Sequence, residues 1–278
     1  MTDTRGSWTS RDPVTTADLR TDRPQAARMY DYYLGGKDNF PADRRAAEAA
    51  LAAFPTLRIA AQQNRAFLHR AVRYLAAEAG IRQFLDVGTG IPTSPNLHEV
   101  AQSVAPQSRV VYADNDLLVL AHARALLTSK PEGRTAYVHG DLRDVEAILS
   151  APEIPATLDL TEPIAVSLIA ILHFLDDEDD PYGVVRRLID QLPAGSHLIV
   201  SHITADFDPA VGDAVEVYRA RGVSARARSR EEIVRFFDGL DLVEPGIQPV
   251  HRWRPDTDTD LTPTDAEVSV YGAVAVKR

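Results

Sequence analysis

Apolar positions recur along this chain at two spacings, and the change from one to the other divides it. From residue 24 to residue 80 the spacing is helical. Pro24 opens a predicted helix through Met29, Tyr30 and Tyr33, which Gly35-Gly36 ends. Residues 41–54 read as a second helix, rich in Ala and closed by Pro55. A third spans 57–79 and stops at Gly80. Its Ile59, Ala60, Phe67, Leu68, Ala71, Val72, Leu75 and Ala76 mark one face of a 3.6-residue period. Beyond residue 80, short apolar runs alternate with helical stretches. Predicted strands cover 83–87, 109–113, 135–139, 164–172 and 197–203, with 242–250 and 268–276 as the last two. Predicted helices cover 95–104, with Ser94 as N-cap and Pro95 first, then 117–127, 180–192 and 231–237. The last follows the capping box Ser229-x-x-Glu232. Strands alternating with helices predict an α/β fold: a Rossmann-like, doubly wound parallel sheet behind an N-terminal helical extension. Residues 1–22, dominated by Thr, Asp, Ser and Arg, read as a disordered tail, and 255–265 as an exposed loop.

Composition narrows the classes. The 278 residues carry a formal net charge of −10, which repels phosphate backbones and argues against a nucleic-acid partner. No cysteine is present, so disulfides, thiolate metal sites and cysteine nucleophiles are excluded. The eight His residues form no HxH or HxxxH pair, and no metal is expected. The first residues lack the apolar core of a signal peptide, and the longest apolar run falls far short of the roughly 20 residues that span a bilayer. A cytoplasmic protein without a membrane partner is the expectation; the sequence leaves the oligomeric state open.

The segment with chemical content is Phe84-Leu85-Asp86-Val87-Gly88-Thr89-Gly90, a strand running into a glycine turn. Ligands of such sheets lie at the carboxyl ends of the strands. A dinucleotide site would need a third glycine, where this chain has Pro92-Thr93, and would not tolerate Asp86 beside a pyrophosphate. S-adenosylmethionine carries an ammonium and a sulfonium and no phosphate, so Asp86 favours it. Asp114 ends the next strand and can accept hydrogen bonds from ribose hydroxyls. Asp141, after Gly140, ends the third and can accept from an adenine amino group, with Leu142 and Leu117 on the ring faces. The competing reading makes these acids N-caps of the helices that follow.

These motifs resemble those of class I S-adenosylmethionine-dependent methyltransferases over residues 81–278. More closely, the chain is similar to an actinobacterial S-adenosyl methyltransferase family, formerly a domain of unknown function. That likeness is carried by residues 27–40, Asn64-Arg65-Ala66-Phe67-Leu68, residues 84–93 and Tyr112 to Asp116. It implies a seven-stranded sheet with the last strand antiparallel. It also implies S-adenosylmethionine as cofactor, with Asp86, Gly88, Thr89, Gly90, Asp114, Asn115, Asp141 and Leu142 around it. The chain then divides into a tail (1–22), a helical lid or extension (23–80) and a methyltransferase domain (81–278).

Methyl transfer needs alignment first and a base only where the acceptor loses a proton. His173, just past the central strand, is the candidate base; the alternative is a His bonded to backbone at the strand end. His202, after the following strand, is a candidate for the acceptor pocket. Tyr30, Tyr33, Lys37 and Asn39 flank the Gly-Gly break and are expected in a lid, or else form an aromatic packing stripe. Asn64 sits on an apolar helix face and needs a partner. It is expected to bond the loop after the first strand or the carboxylate end of the cofactor. Arg65 is expected to pair with that carboxylate or to lie on the surface. The function expected is methylation of a small molecule on oxygen or nitrogen. The alternatives are a cofactor-binding regulator without catalysis and an NAD-dependent oxidoreductase.

Overall fold

Five parallel strands run side by side: β1 (Gln83–Val87), β2 (Arg109–Asp114), β3 (Arg134–His139), β4 (Ala165–Ile169) and β5 (His197–Ile203). In the computed structural model, which describes residues 20–256 and 262–278, their order is 3-2-1-4-5. β8 (Val270–Lys277) adds antiparallel to β5, and β6 (Leu240–Leu242) pairs with β8. The path 3-2-1-4-5-8-6 is the Rossmann-like methyltransferase order, with the last strand antiparallel as expected. One expected strand is divided. Between β6 and β7 (Gln248–Pro249) the chain turns at Gly246, with φ +76°, so of the expected strand 242–250 only Leu242 falls in β6 and residues 248–249 in β7. The described residues therefore hold an eight-stranded sheet.

Alternation along each strand sends side chains into two cores. Leu85, Val111, Val166, Leu168, Leu198 and Val200 face one side. There α6 (Val145–Ser150), α7 (Glu153–Thr157), α8 (Pro181–Asp190) and α10 (Arg230–Val234) cover them. Phe84, Val110, Tyr112, Ala165, Ile199 and Val274 face the other, under α3 (Leu57–Ala77), α4 (Leu97–Val104) and α5 (Leu117–Leu126). A third cluster joins α1 (Ala26–Tyr33) and α2 (Pro41–Ala53) to Ala61 of α3 through Met29, Tyr33, Ala46 and Ala47. α2 also runs along α9 (Ala210–Arg219).

Several helix ends differ from expectation. α4 begins at Leu97 with Asn96 as N-cap, because the Glu99 carboxylate accepts the Asn96 N–H at 2.5 Å; Ser94 and Pro95 stay in the preceding turn. The Ser229 box forms as expected, each partner bonding the other's backbone, but α10 gives way to a 3-10 turn after Val234. Residues 265–268 form a short helix, α11 (Asp265–Val268), between the end of the expected loop and the start of the expected last strand. Residues 257–261 of that loop and residues 1–19 of the expected tail lie outside the described residues. No described helix is long and apolar enough to cross a membrane.

Strand order reverses between β1 and β4: β2 and β3 continue to one side, β4 and β5 to the other. A crevice opens at such a switch point, at the carboxyl ends of the strands.

Candidate active site

A cavity of about 790 Å³ occupies that crevice. Its walls are the strand ends of β1 to β5, with α1, α3, α9 and residues 221–225 above them. Every residue singled out from the sequence lines it except Lys37, which is exposed and elsewhere, and Asn39 and Leu117, which do not reach it.

The glycine turn leads out of β1. Gly88 (φ +75°) and Gly90 (φ +69°) take the left-handed region that favours glycine. At Gly88 space matters as well, since a Cβ there would stand 2.7 Å from the Ile171 side chain beyond β4. The turn's N–H groups are spent inside the protein. Gly88 donates to the Ala113 carbonyl at 2.8 Å, Thr89 to the same oxygen at 3.4 Å, and Gly90 to Asp114 Oδ2 at 2.9 Å. No amide of this turn is left for a phosphate, which removes the dinucleotide reading on geometry as well as charge.

The three acids do not cap the helices that follow. Asp116 caps α5, accepting the Leu118 N–H at 2.8 Å, and Asp144 caps α6. Asp86 is only 6% exposed, and burial pushes its carboxyl up to about 6, against the pull of the Ser167 hydroxyl and Arg65. Asp114 is likewise pushed up to about 6 by burial, although its oxygens accept N–H groups from Gly90 and Asp116. Asp141 is half-buried. Burial raises it, but the Arg143 N–H, the Asn115 amide at 2.9 Å and the Arg143 guanidinium together hold it below the usual range.

On α3, Asn64 donates to the Tyr30 hydroxyl at 2.9 Å, and Tyr30 donates to the Ala61 carbonyl at 3.0 Å. The expected bond from Asn64 to the loop after β1 is not formed; Asn64 Oδ1 is buried without a partner. Arg65 ties that loop down, donating to the carbonyls of Thr93 and Pro95.

His173 lies in a 3-10 turn (Leu172–Phe174) after β4. It is not bonded to backbone through its ring: Nδ1 is buried and unpartnered. Burial and the neighbouring Arg228 lower its pKa to about 3. His202, fully buried, stands 5.5 Å from it between ring centres. Arg228 Nη1 donates to His202 Nε2 at 3.0 Å, so the proton sits on Nδ1, 2.7 Å from the Ile203 carbonyl. Both nitrogens of His202 are therefore engaged within the protein. Tyr33 and Tyr218 close the far end, their hydroxyls 2.8 Å apart.

The Gly-Gly break is held. The Asp31 carboxylate accepts Asp38 N–H at 3.0 Å and Asn39 Nδ2 at 2.7 Å, and it packs so closely on Gly36 that a Cβ there would overlap it. Sequence reading missed Tyr218, Arg228 and the lining residues of α9. The only trace of Arg228 was a run of basic residues, 226–230, which by composition reads as a solvated surface.

A parallel sheet with this switch point, a glycine turn whose amides are spent, and carboxylates on three successive strand ends together define the S-adenosylmethionine-dependent methyltransferase class. The chain belongs to the S-adenosyl methyltransferase family, whose profile matches residues 13–278. It is similar to the crystal structure of a duf574 family protein from Streptomyces avermitilis. The two share 54% identity with a TM-score of 0.91, over 94% of this chain and all of that one. A Thermobifida fusca protein assigned as a methyltransferase is 41% identical, with a TM-score of 0.85, over 94% of this chain and 97% of its own. An O-methyltransferase family protein from Burkholderia thailandensis shares the fold alone, at 13% identity and a TM-score of 0.54, over 94% of this chain and 66% of that one. A comparison with proteins of curated function finds no match.

S-adenosylmethionine is the cofactor this family implies, and the residues fit it. Two carboxyls buried against their own charge suit a cationic ligand. The orphaned Asn64 Oδ1 offers an acceptor at the same end.

Proposed function

We propose that this methyltransferase acts on a small molecule admitted beside His173. The carrying observation is that one cavity joins the three carboxylates to His173, His202 and the Tyr33–Tyr218 pair. His173, 6% exposed, lies too deep for a macromolecular surface to reach. Pockets for small ligands enclose roughly 300–1,000 Å³, and this one lies in that range.

Asp86 and Asn64 would hold the amino-acid head of S-adenosylmethionine, Asp114 and Asn115 the ribose, and Asp141 and Leu142 the adenine. When bound, the cofactor supplies a methyl group already activated on a sulfonium. The chain's own work is then to align the acceptor and keep water out. Tyr33, Tyr218 and the rim beyond α9 enclose the acceptor. His173 stays neutral and offers a lone pair to the acceptor's proton. A base this weak cannot ionise a free phenol, with a pKa of about 10. It can take the proton as methylation turns the acceptor oxygen into a far stronger acid.

The test is a pair of variants in a calorimeter and a methylation screen. Asp114→Ala should weaken S-adenosylhomocysteine binding by tenfold or more. His173→Ala should leave that binding within about twofold and cut turnover on a proton-losing acceptor by roughly 10²-fold or more. Unchanged binding in the first variant, or full turnover in the second, removes the respective assignment.

A further inference from the structure

Carboxylates are divided unevenly inside the cavity. Its four lining carboxylates, Asp86, Asp114, Asp116 and Asp141, all sit at or just past the ends of β1, β2 and β3. The half beyond β4 and β5 has no lining carboxylate among the described residues. Arg221 stands at its rim. Behind its inner wall lies Arg228, fully buried. The Arg228 guanidinium donates to the Leu172 carbonyl at 3.1 Å, the Leu175 carbonyl at 3.0 Å and His202 Nε2 at 3.0 Å. Its carboxylate partner, Asp177, is at 3.3 Å, is exposed, and also pairs with Arg226. The remaining wall is mainly apolar or aromatic, with Phe174 and Tyr218 rings 6.2 Å apart; Ser224 and Ser269 also line it, and the Ser224 hydroxyl donates to the Asp176 carboxylate behind it.

An aliphatic amine acceptor reaches an enzyme at neutral pH as an ammonium ion. It would leave water for a compartment with a buried guanidinium behind it and no lining carboxylate to meet it. A hydroxyl on an apolar ring loses nothing comparable: its ring meets the aromatic wall and its proton meets the His173 imidazole that lines the cavity. We propose that the acceptor is a phenol-class hydroxyl on a flat apolar ring, and that aliphatic amines, cationic at neutral pH, are rejected by this charge distribution. The inference rests on the methyltransferase reading above. In the transfer, a lone pair of the phenol oxygen forms the O–CH3 bond. The carbon–sulfur bond of the cofactor breaks with its electron pair left on sulfur, and the phenolic proton passes to His173 and then to solvent.

The experiment uses the full chain saturated with S-adenosylhomocysteine, whose own binding is measured first; failure at that step sinks the cofactor reading and not the acceptor class. Two probes of matched shape are then titrated at pH 7, 2-naphthol and 2-(aminomethyl)naphthalene. The naphthol should bind at least tenfold tighter, and with S-adenosylmethionine it should yield the methyl ether while the amine yields no N-methyl product. Val215→Asp, which places a carboxylate in the acceptor half, should narrow or reverse the preference. Equal or tighter binding of the amine overturns the proposal, as does N-methylation or the failure of both rings to bind at millimolar concentration.

Discussion

Two buried carboxyls hold strained charge at the cofactor end of this molecule. Asp86 and Asp114 are buried before any cation arrives, and each is pushed up to about 6. An unfolded Asp titrates near 3.9, so between roughly pH 4 and 6 the folded protein binds more protons than the unfolded one. Stability of the free protein should therefore rise as pH falls through that window. Each ionised carboxyl costs the fold on the order of 3 kcal/mol at neutral pH. Cofactor affinity should move oppositely. A protonated Asp86 cannot pair with an ammonium, so S-adenosylhomocysteine should bind more weakly as pH drops from 7 to 5, by about tenfold per unit below 6 for one linked group. Calorimetric titrations across that range check the sign, and a flat profile would take Asp86 out of the ammonium site. His173 contributes no step near 6.5, because burial and Arg228 keep it neutral there.

At the scale of elements, the turn after β1 is fixed twice, by backbone angle and by the Ile171 side chain from the turn after β4. Gly88→Ala should destabilise the protein by about 1–3 kcal/mol and weaken cofactor binding, since relief requires moving Ile171 and with it the approach to His173. Gly90→Ala meets open space and pays only for its angle, so its melting temperature should fall less. Thermal melts of the two variants with and without S-adenosylhomocysteine separate the effects. The same turn explains what could be read from sequence. Its strand, its glycines and its acid are local signals, and β1 and β5 fall on the residues their apolar patterns marked. α9 escaped because Val211, Ala214 and Val215 make too thin a buried stripe to stand out among Ala, Gly and Val. Arg228 escaped for a different reason: its partners, Leu172, Leu175 and His202, are dozens of residues away in sequence, and only the fold brings them to it.

Across the whole molecule, the N-terminal helices are tied to the edge where the cofactor's sugar would lie. Arg28 of α1 is fully buried, 3.6 Å from Asp43 of α2 and 3.9 Å from Asp116, the cap of α5. Asp116 in turn donates its N–H to Asp114. From Tyr33, α1 also reaches Tyr218, 185 residues on. A ligand that fixes Asp114 should steady this chain of contacts. Hydrogen exchange of residues 26–33 should slow several-fold on adding S-adenosylhomocysteine, and exchange indifferent to ligand would show the helices to be passive cover. We propose on these contacts that residues 23–80 act as a lid in their first two helices, whereas α3 is already part of the sheet's packing.

The spent amides of the glycine turn also limit how this scaffold can be redesigned. Replacing Asp86 by a neutral residue would remove its charge from the turn, yet would supply no donor, because the N–H groups of residues 88–90 are the stitches that join β1 to the end of β2. A nicotinamide enzyme cannot be reached from here by exchanging side chains; the loop itself would have to be rebuilt, at the expense of the seam that holds the centre of the sheet together.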